Sequence, residues 1–193
     1  MLALLGAGPL HPYGMQRLIK SWGKDEVVNI GQRANLYKTI RRLHEAGLIA
    51  VRQTERAQQY PERTVYELTE EGRRTGMRWL RDMLAAPRNE YPAFPAALSF
   101  AMTLHPRELA VELTQRLAVI QARLAHVDSQ LADYREAIPR IALIETEYAR
   151  ALLHAEVRWL SETIDDLESG RLAWNHDQLA AQAADDYSQA VDP

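Results

Sequence analysis

Apolar residues in the first 86 positions follow a helical period in some segments and an extended period in others. Helical spacing occurs over residues 12–22 and again over 33–46. In the second segment the apolar positions form a narrow stripe at Leu36, Ile40 and Leu43. Gly47 is expected to end this helix, because glycine adopts the left-handed conformation at little cost.

A β-hairpin and a further helix are predicted directly after this glycine. Residues 48–54 and 63–68 are rich in β-branched and apolar side chains, and the polar stretch 55–62 between them is too long for a two-residue turn. The tip of the hairpin should therefore project from the domain. Thr69 is a suitable N-cap for a helix that runs to about residue 86.

The C-terminal half is predicted to be helical after a proline-rich linker, in which Pro87, Pro92 and Pro95 lie close together. A helix is then predicted from Pro106 to Ile138, because its apolar residues are alternately three and four positions apart, as in a coiled coil. These residues are Leu109, Leu113, Leu117, Ile120, Leu124, Val127, Leu131, Tyr134 and Ile138.

A second long helix, predicted over residues 140–169, carries two apolar stripes. One consists of Ile141, Ile144, Tyr148 and Leu152, and the other of Leu153, Val157, Leu160, Ile164 and Leu167. One partner helix would cover a single stripe, so the second stripe favours packing against another subunit. An entirely intramolecular helical bundle is the alternative.

These elements predict a mainly α fold with a small β-hairpin: a winged helix-turn-helix followed by a helical, coiled-coil-like dimerisation region. The expected divisions are a DNA-binding domain at 1–86, a Pro-rich linker at 87–95, a helical dimerisation domain at 96–174 and a flexible tail at 175–193, which is rich in Ala, Asp and Gln. The first apolar segment is so short that we expect either a short helix or a chain that lacks its first helical turn.

Charge and composition narrow the function classes. The net charge is −3, yet residues 1–78 contain 13 basic and 8 acidic residues, a net of +5, which indicates a polyanionic partner for this part. The lack of cysteine excludes thiolate metal sites and fits a reducing cytoplasm. No apolar run is long enough to cross a bilayer. The six histidines are scattered and no phosphate-binding loop or hydrolase motif occurs, so we expect neither an enzyme nor a cofactor.

The segment 33–46 has the position and the chemistry of a recognition helix. In a helix-turn-helix the second helix enters the major groove, where amide side chains suit adenine and guanidinium groups suit guanine. The candidates for base contact are Gln32, Arg33, Asn35 and Lys38, and those for phosphate contact are Tyr37, Arg41 and Arg42. The alternative for all of them is a solvated basic face.

The hairpin tip offers a second set of DNA-binding candidates. Its basic and amide side chains are Arg56, Gln58, Gln59 and Arg63, which could reach along a backbone or into a minor groove. An ordinary exposed hairpin is the alternative.

Four blocks of the first 72 residues resemble the PadR-type regulators. They are 8–14 (GPLHPYG), 35–43 (NLYKTIRRL), 45–49 (EAGLI) and 64–72 (TVYELTEEG). Single blocks are common in winged-helix proteins, and it is their order that makes the resemblance specific. Two positions depart from the family's pattern, because Pro12 stands where glycine is usual and Lys38 where proline is common.

The resemblance implies a homodimeric winged-helix regulator, often a repressor, that dimerises through C-terminal helices and in which Tyr37 touches the DNA backbone. A two-fold dimer would present two recognition helices to a pseudo-palindromic operator. Some PadR-like proteins release DNA on binding aromatic or hydrophobic small molecules. Trp79, Trp159 and Trp174 could line such an effector pocket, but plain packing at the dimer core is the favoured interpretation, and no ligand-binding residue is assigned.

We therefore expect a cytoplasmic regulator that binds double-stranded DNA in a sequence-specific manner. A winged-helix module for protein interaction, without DNA binding, is the alternative. The two are distinguished by DNA affinity, which in the second case would be absent or insensitive to salt.

Overall fold

The structure is a computed structural model that describes residues 1–24, 33–55, 63–175 and 179, with the backbone alone at residues 33, 34, 54, 55 and 63. The chain forms two compact units, Met1–Asn89 and Glu90–Pro193, called below the N-terminal unit and the C-terminal unit. Apart from residues 175 and 179, the predicted tail lies outside the described residues. Among the described residues, no helix is both long enough and apolar enough to cross a bilayer.

The N-terminal unit has the predicted order of three helices, a hairpin and a fourth helix. Its elements are α1 (Leu2–Leu5), α2 (Pro12–Ser21), α3 (Arg33–Glu45), β1 (Ile49–Glu55), β2 (Arg63–Leu68) and α4 (Glu70–Ala85). The strands pair antiparallel, with an irregularity between Val51 and Gln53. Leu10 exchanges two backbone hydrogen bonds with Tyr66, at 2.9 and 3.0 Å, and so extends the small sheet beyond β2.

The core of the N-terminal unit is built from one face of each element. Met15 of α2, Ile40 of α3 and Ile49 of β1 are completely or almost completely buried. The stripe predicted on α3 is buried as expected at Leu36, Ile40 and Leu43. The leucines of α1 join the same cluster, so the predicted short first helix contributes to the core.

Gly47 ends α3 as predicted, in the left-handed conformation with φ +68°. The N–H of Gly47 donates to the His44 carbonyl at 2.9 Å, and the N–H of Leu48 donates to the Leu43 carbonyl at 2.9 Å. These two bonds satisfy carbonyls at the end of the helix that would otherwise lack partners. The turn sets the direction in which the chain enters β1.

The start of α4 is held against this turn. The Thr69 hydroxyl donates to the Gly47 carbonyl at 2.8 Å and accepts the Gly72 N–H at 2.9 Å, which makes Thr69 the predicted N-cap. Gly72 lies directly against the Leu48 carbonyl, because a Cβ at this position would be only 1.9 Å from the carbonyl oxygen. The sequence requires glycine here for close approach between two backbones.

In the described part of the C-terminal unit there are two long helices and a short one. These are α5 (Ala93–Leu98), α6 (Pro106–Tyr134) and α7 (Ile144–Glu168), with 3-10 turns at Ala101–Thr103 and Arg140–Ala142. Helix α5 begins inside the segment predicted as linker. Pro92 is its N-cap and Pro95 lies in its first turn, where a missing N–H costs nothing.

Helices α6 and α7 are shorter than predicted. Helix α6 ends at Tyr134 rather than Ile138, and α7 begins at Ile144 rather than residue 140. Pro139 accounts for both differences, because its ring would clash with the carbonyl of Arg135 in a continuous helix and because it is followed by the tighter 3-10 turn. Tyr134 and Ile138, predicted as part of the apolar seam, are therefore exposed beside or beyond the end of the helix.

The rest of the seam on α6 packs against one of the two predicted stripes of α7. The buried members on α6 are Leu109, Leu113, Ile120, Val127 and Leu131, and those on α7 are Leu153, Leu160, Ile164 and Leu167. Arg116 of α6 also forms an ion pair with Glu156 of α7, with Nε 2.7 Å from the carboxylate. Its guanidinium lies 3.5 Å from the centre of the Phe94 ring, which connects α5 to the pair.

The contact at Gly72 leads to a prediction about stability. We expect Gly72→Ala to lower the free energy of unfolding by about 3 kcal/mol, because the new methyl group would meet a backbone carbonyl that cannot move aside. Gly76→Ala in the same helix is the control, since its Cβ would meet only the Leu2 side chain, at 3.3 Å. Alanine also favours the helix there, so the control should change stability by less than about 1 kcal/mol. Urea unfolding followed by circular dichroism measures both, and equal losses would contradict the role given to Gly72.

Candidate nucleic-acid interface

Helix α3 presents two opposite faces. Successive residues are about 100° apart around a helix, so Lys38, Arg41 and Arg42 lie on the side opposite the buried stripe. All three side chains are exposed. We call these three residues the α3 cationic face. The Tyr37 side chain lies to one side of it and is 55% exposed.

The cations of the α3 cationic face have no ion-pair or hydrogen-bond partner among the described residues. The cations near the start of α4 are arranged differently. Arg74 donates a 2.7 Å hydrogen bond to Glu71, and this bond lowers the pKa of the Glu71 carboxyl and raises that of Arg74. Arg73 lies 3.9 Å from Glu70. Positive charge is thus balanced by carboxylates at the start of α4 and unbalanced on α3.

The described residues cover only some of the predicted DNA contacts. Asn35, Tyr37, Lys38, Arg41 and Arg42 are all exposed on α3. Arg33 begins α3 and Arg63 begins β2, but only their backbones are described. The remaining candidates lie outside the described residues; they are Gln32, Arg56, Gln58 and Gln59.

The helix before α3 is fixed by a cap that the sequence did not predict. Nδ1 of His11 accepts the backbone N–H of Gly14 at 2.8 Å, and Pro12 occupies the first position of α2. Histidine is an uncommon N-cap, so the sequence alone assigns His11 no role. The available signal was Pro12, because proline is favoured at the first residue of a helix.

This geometry is that of a helix-turn-helix with a wing, and it can be compared with known proteins. Residues 1–77 match the model of the PadR-like family of transcriptional regulators. The N-terminal unit is PadR-like. The resemblance seen in the sequence is thereby confirmed over the residues that carry it.

The PadR-like fold extends beyond the matched residues. Bacillus subtilis PadR in complex with operator DNA superposes with a TM-score of 0.68 at 19% identity, over 86% of this chain and 96% of that chain. The same protein in complex with p-coumaric acid superposes with a TM-score of 0.67 at 20% identity, over 86% of this chain and 95% of that chain. The Vibrio cholerae virulence activator AphA superposes with a TM-score of 0.64 at 17% identity, over 87% of this chain and 95% of that chain.

No curated protein sequence matches this chain. At the identities found, the likeness to solved structures shows the fold. The chain therefore has the fold of PadR-like transcriptional regulators, with a winged helix-turn-helix followed by a helical region, as the sequence predicted.

Proposed function

We propose that this protein is a transcriptional repressor that acts in the cytoplasm as a homodimer and binds a pseudo-palindromic DNA operator. The observation that carries the proposal is the α3 cationic face, which is exposed, unbalanced and held opposite a buried stripe. A helix of this kind can enter the major groove and neutralise phosphates on its rim. The solved complex of Bacillus subtilis PadR with operator DNA supports the same use of the fold.

The roles of individual residues follow from their chemistry. Gln32, Arg33, Asn35 and Lys38 lie in the first half of α3 or just before it, and we assign them to base edges. Tyr37, Arg41 and Arg42 are assigned to phosphates, which position the protein without reading sequence. Arg56, Gln58, Gln59 and Arg63 of the hairpin are assigned to the neighbouring backbone or minor groove.

The dimer is supported by the stripe of α7 that α6 leaves uncovered. Ile144, Tyr148 and Leu152 follow one another at four-residue intervals, and Leu152 is 53% exposed although it lies in the middle of a long helix. The other stripe of α7 is buried against α6. A second copy of the chain would remove this apolar surface from water, which favours association.

A small aromatic or hydrophobic effector forms part of the proposal. Support comes from the complex of Bacillus subtilis PadR with p-coumaric acid and from Trp79 and Trp159, which are 45% and 40% exposed. Aromatic rings of this kind can stack on a flat ligand. The effector would release DNA by binding better to the DNA-free conformation than to the bound one.

DNA recognition is tested by fluorescence anisotropy on a duplex from upstream of the protein's own gene and on a scrambled duplex, between low and physiological salt. We expect tighter binding to the first duplex and a steep loss of affinity with salt. Lys38→Ala should reduce the preference by about 5- to 100-fold, as removal of one base-reading side chain does. Arg41→Gln should weaken binding to both duplexes equally.

Arg107→Gln in α6 is the control for a change of charge alone, because Arg107 is exposed and belongs to the C-terminal unit. It should leave both affinities unchanged. If the folded dimer bound neither duplex, the proposal would be replaced by the protein-interaction module.

The dimer interface is tested with Leu152→Glu. We expect this variant to sediment as a monomer at micromolar concentration while the wild type sediments as a dimer, because a carboxylate in an apolar interface would be left unpaired. His154→Glu introduces the same group on another side of α7 and should remain a dimer. A wild-type monomer would favour the purely intramolecular bundle, and a dimeric Leu152→Glu would mean that the subunits meet at a surface other than this stripe.

The effector is tested by adding p-coumaric acid to the complex of the protein with its duplex. Anisotropy should fall as DNA is released, and the fluorescence of the exposed tryptophans should be quenched. Cyclohexanecarboxylic acid carries the same charge without an aromatic ring, so it should do neither. An unchanged DNA affinity would show that p-coumaric acid is not an effector of this protein.

A further inference from the structure

A cleft lies in the C-terminal unit where the end of α6 and the start of α7 meet at the turn between them. Its volume is about 710 Å³, which is within the usual range for small-molecule sites. Three arginines, two carboxylates and three apolar residues line it. We call this space, between residues 128–135 and 140–150, the α6–α7 cleft. The proposed function does not use it.

Two of the arginines in the α6–α7 cleft are held by carboxylates. Nε and Nη2 of Arg140 donate to the two carboxylate oxygens of Glu147, at 3.1 and 2.9 Å. Nε of Arg150 donates to Asp128. A guanidinium has five N–H donors. Both arginines therefore retain donors that these ion pairs leave unused.

The third arginine, Arg135, is not held by a carboxylate. Its guanidinium is exposed and has neither an ion-pair nor a hydrogen-bond partner among the described residues, although Asp133 and Glu136 are close to it in the sequence. The pKa of Glu147 is lowered chiefly by its hydrogen bonds from Arg140, and the field of Arg135 lowers it further. The positive charge of Arg135 thus acts inside the cleft.

The lining of the cleft carries one positive charge in excess, because three guanidinium groups face two carboxylates. This excess is contrary to the charge of the rest of the unit. Residues 90–193 contain 8 basic and 17 acidic residues, a net of −9, and three of the eight basic residues meet in this one cleft. An anion with a single charge would neutralise the lining.

The uncharged part of the lining is apolar and consists of Leu131, Ala132 and Leu143. The two leucines are 8% and 7% exposed and belong to the core that joins α6 to α7. Because the core is closely packed, it holds this apolar wall in place. A ligand that covers the wall would remove apolar surface from water, which favours binding.

The cleft lies on a different side of α7 from the stripe that we assign to the dimer. Tyr148 is at the centre of that stripe. Successive residues of a helix are about 100° apart, so Glu147 is about 100° and Arg150 about 160° away from Tyr148 around the axis. A second copy of the chain seated on the stripe would therefore leave the cleft open.

We infer that the α6–α7 cleft binds a small organic anion that has one carboxylate and an apolar body. The carboxylate would accept paired hydrogen bonds from the guanidinium of Arg135, which is a geometry that suits the two groups. The body would lie on the wall formed by Leu131 and Leu143. Inorganic phosphate fits less well, because it has no apolar part and carries more than one negative charge at neutral pH. The inference goes beyond the proposed function and does not need DNA binding.

The test is isothermal titration calorimetry of the full chain without DNA, in a buffer free of phosphate and carboxylates. The probe is cyclohexanecarboxylate, which joins one carboxylate to an apolar ring. Acetate has the charge without the ring, cyclohexanemethanol has the ring without the charge, and inorganic phosphate has only charge. We expect cyclohexanecarboxylate to bind at least about 10-fold more tightly than each of the other three, because each of them loses either the ion pair or the apolar contact.

Arg135→Gln should weaken the binding of cyclohexanecarboxylate by about 10- to 100-fold, as the loss of a hydrogen bond between charged groups does. The matched control is Arg158→Gln in α7. Arg158 is also exposed and without a partner among the described residues, but it does not line the cleft. This control should bind the probe as the wild type does. Thermal unfolding checks that both variants are folded, and the series of four probes on the wild type is decisive if Arg135→Gln is not.

Four results would overturn the inference. Folded wild-type protein that does not bind cyclohexanecarboxylate would show that the cleft is not a site for this class of anion. Equal losses in the two variants would mean that net charge alone is responsible. Acetate or phosphate binding as tightly as the probe would exclude a role for the apolar wall, and cyclohexanemethanol binding as tightly would exclude a role for Arg135. None of these results bears on DNA binding, so the proposed function stands or fails separately.

Discussion

The backbone of Leu48 lies where α3, the hairpin and α4 meet. Its N–H bonds to the end of α3, and its carbonyl accepts the Thr69 N–H at 3.3 Å and lies against Gly72. A shift at this point would move α3 relative to both the hairpin and α4. Side chains elsewhere in the core can repack, but two backbones in contact leave no room for adjustment. The orientation of the α3 cationic face depends on this contact.

Charged side chains are arranged in two ways on the surface of the N-terminal unit. At the start of α4 and on the described part of the hairpin, cations lie close to carboxylates, as with Arg74 and Glu71 or Arg52 and Glu67. Exposed pairs of this kind add little to stability, but they cancel the local field. On α3 the cations have no such partner among the described residues, so positive potential remains where that helix faces outward. The net charge of −3 therefore says little about the surface that would meet DNA.

Local signals explain which parts of the fold could be predicted. Gly47 and Thr69 act on the chain next to them, so the end of α3 and the start of α4 could both be predicted from these residues. The helical period of α3 likewise distinguished its buried stripe from its exposed face. The ends of α6 and α7 were placed wrongly because Pro139 changes conformation several residues away on each side. The Arg116–Glu156 ion pair joins residues 40 positions apart, and no local pattern reveals it.

The low sequence identity to the solved relatives is consistent with a difference between the core, which sets the fold, and the exposed residues. A core needs apolar residues of suitable size at the right period, and many sequences meet that need. Positions such as Gly72, where only one residue fits, are few. The exposed residues of α3 do not pack against the core, so they can change with the operator while the fold stays the same. At 19% identity to Bacillus subtilis PadR, an operator for the proposed function is therefore better sought through this chain's own α3 than through that of the relative.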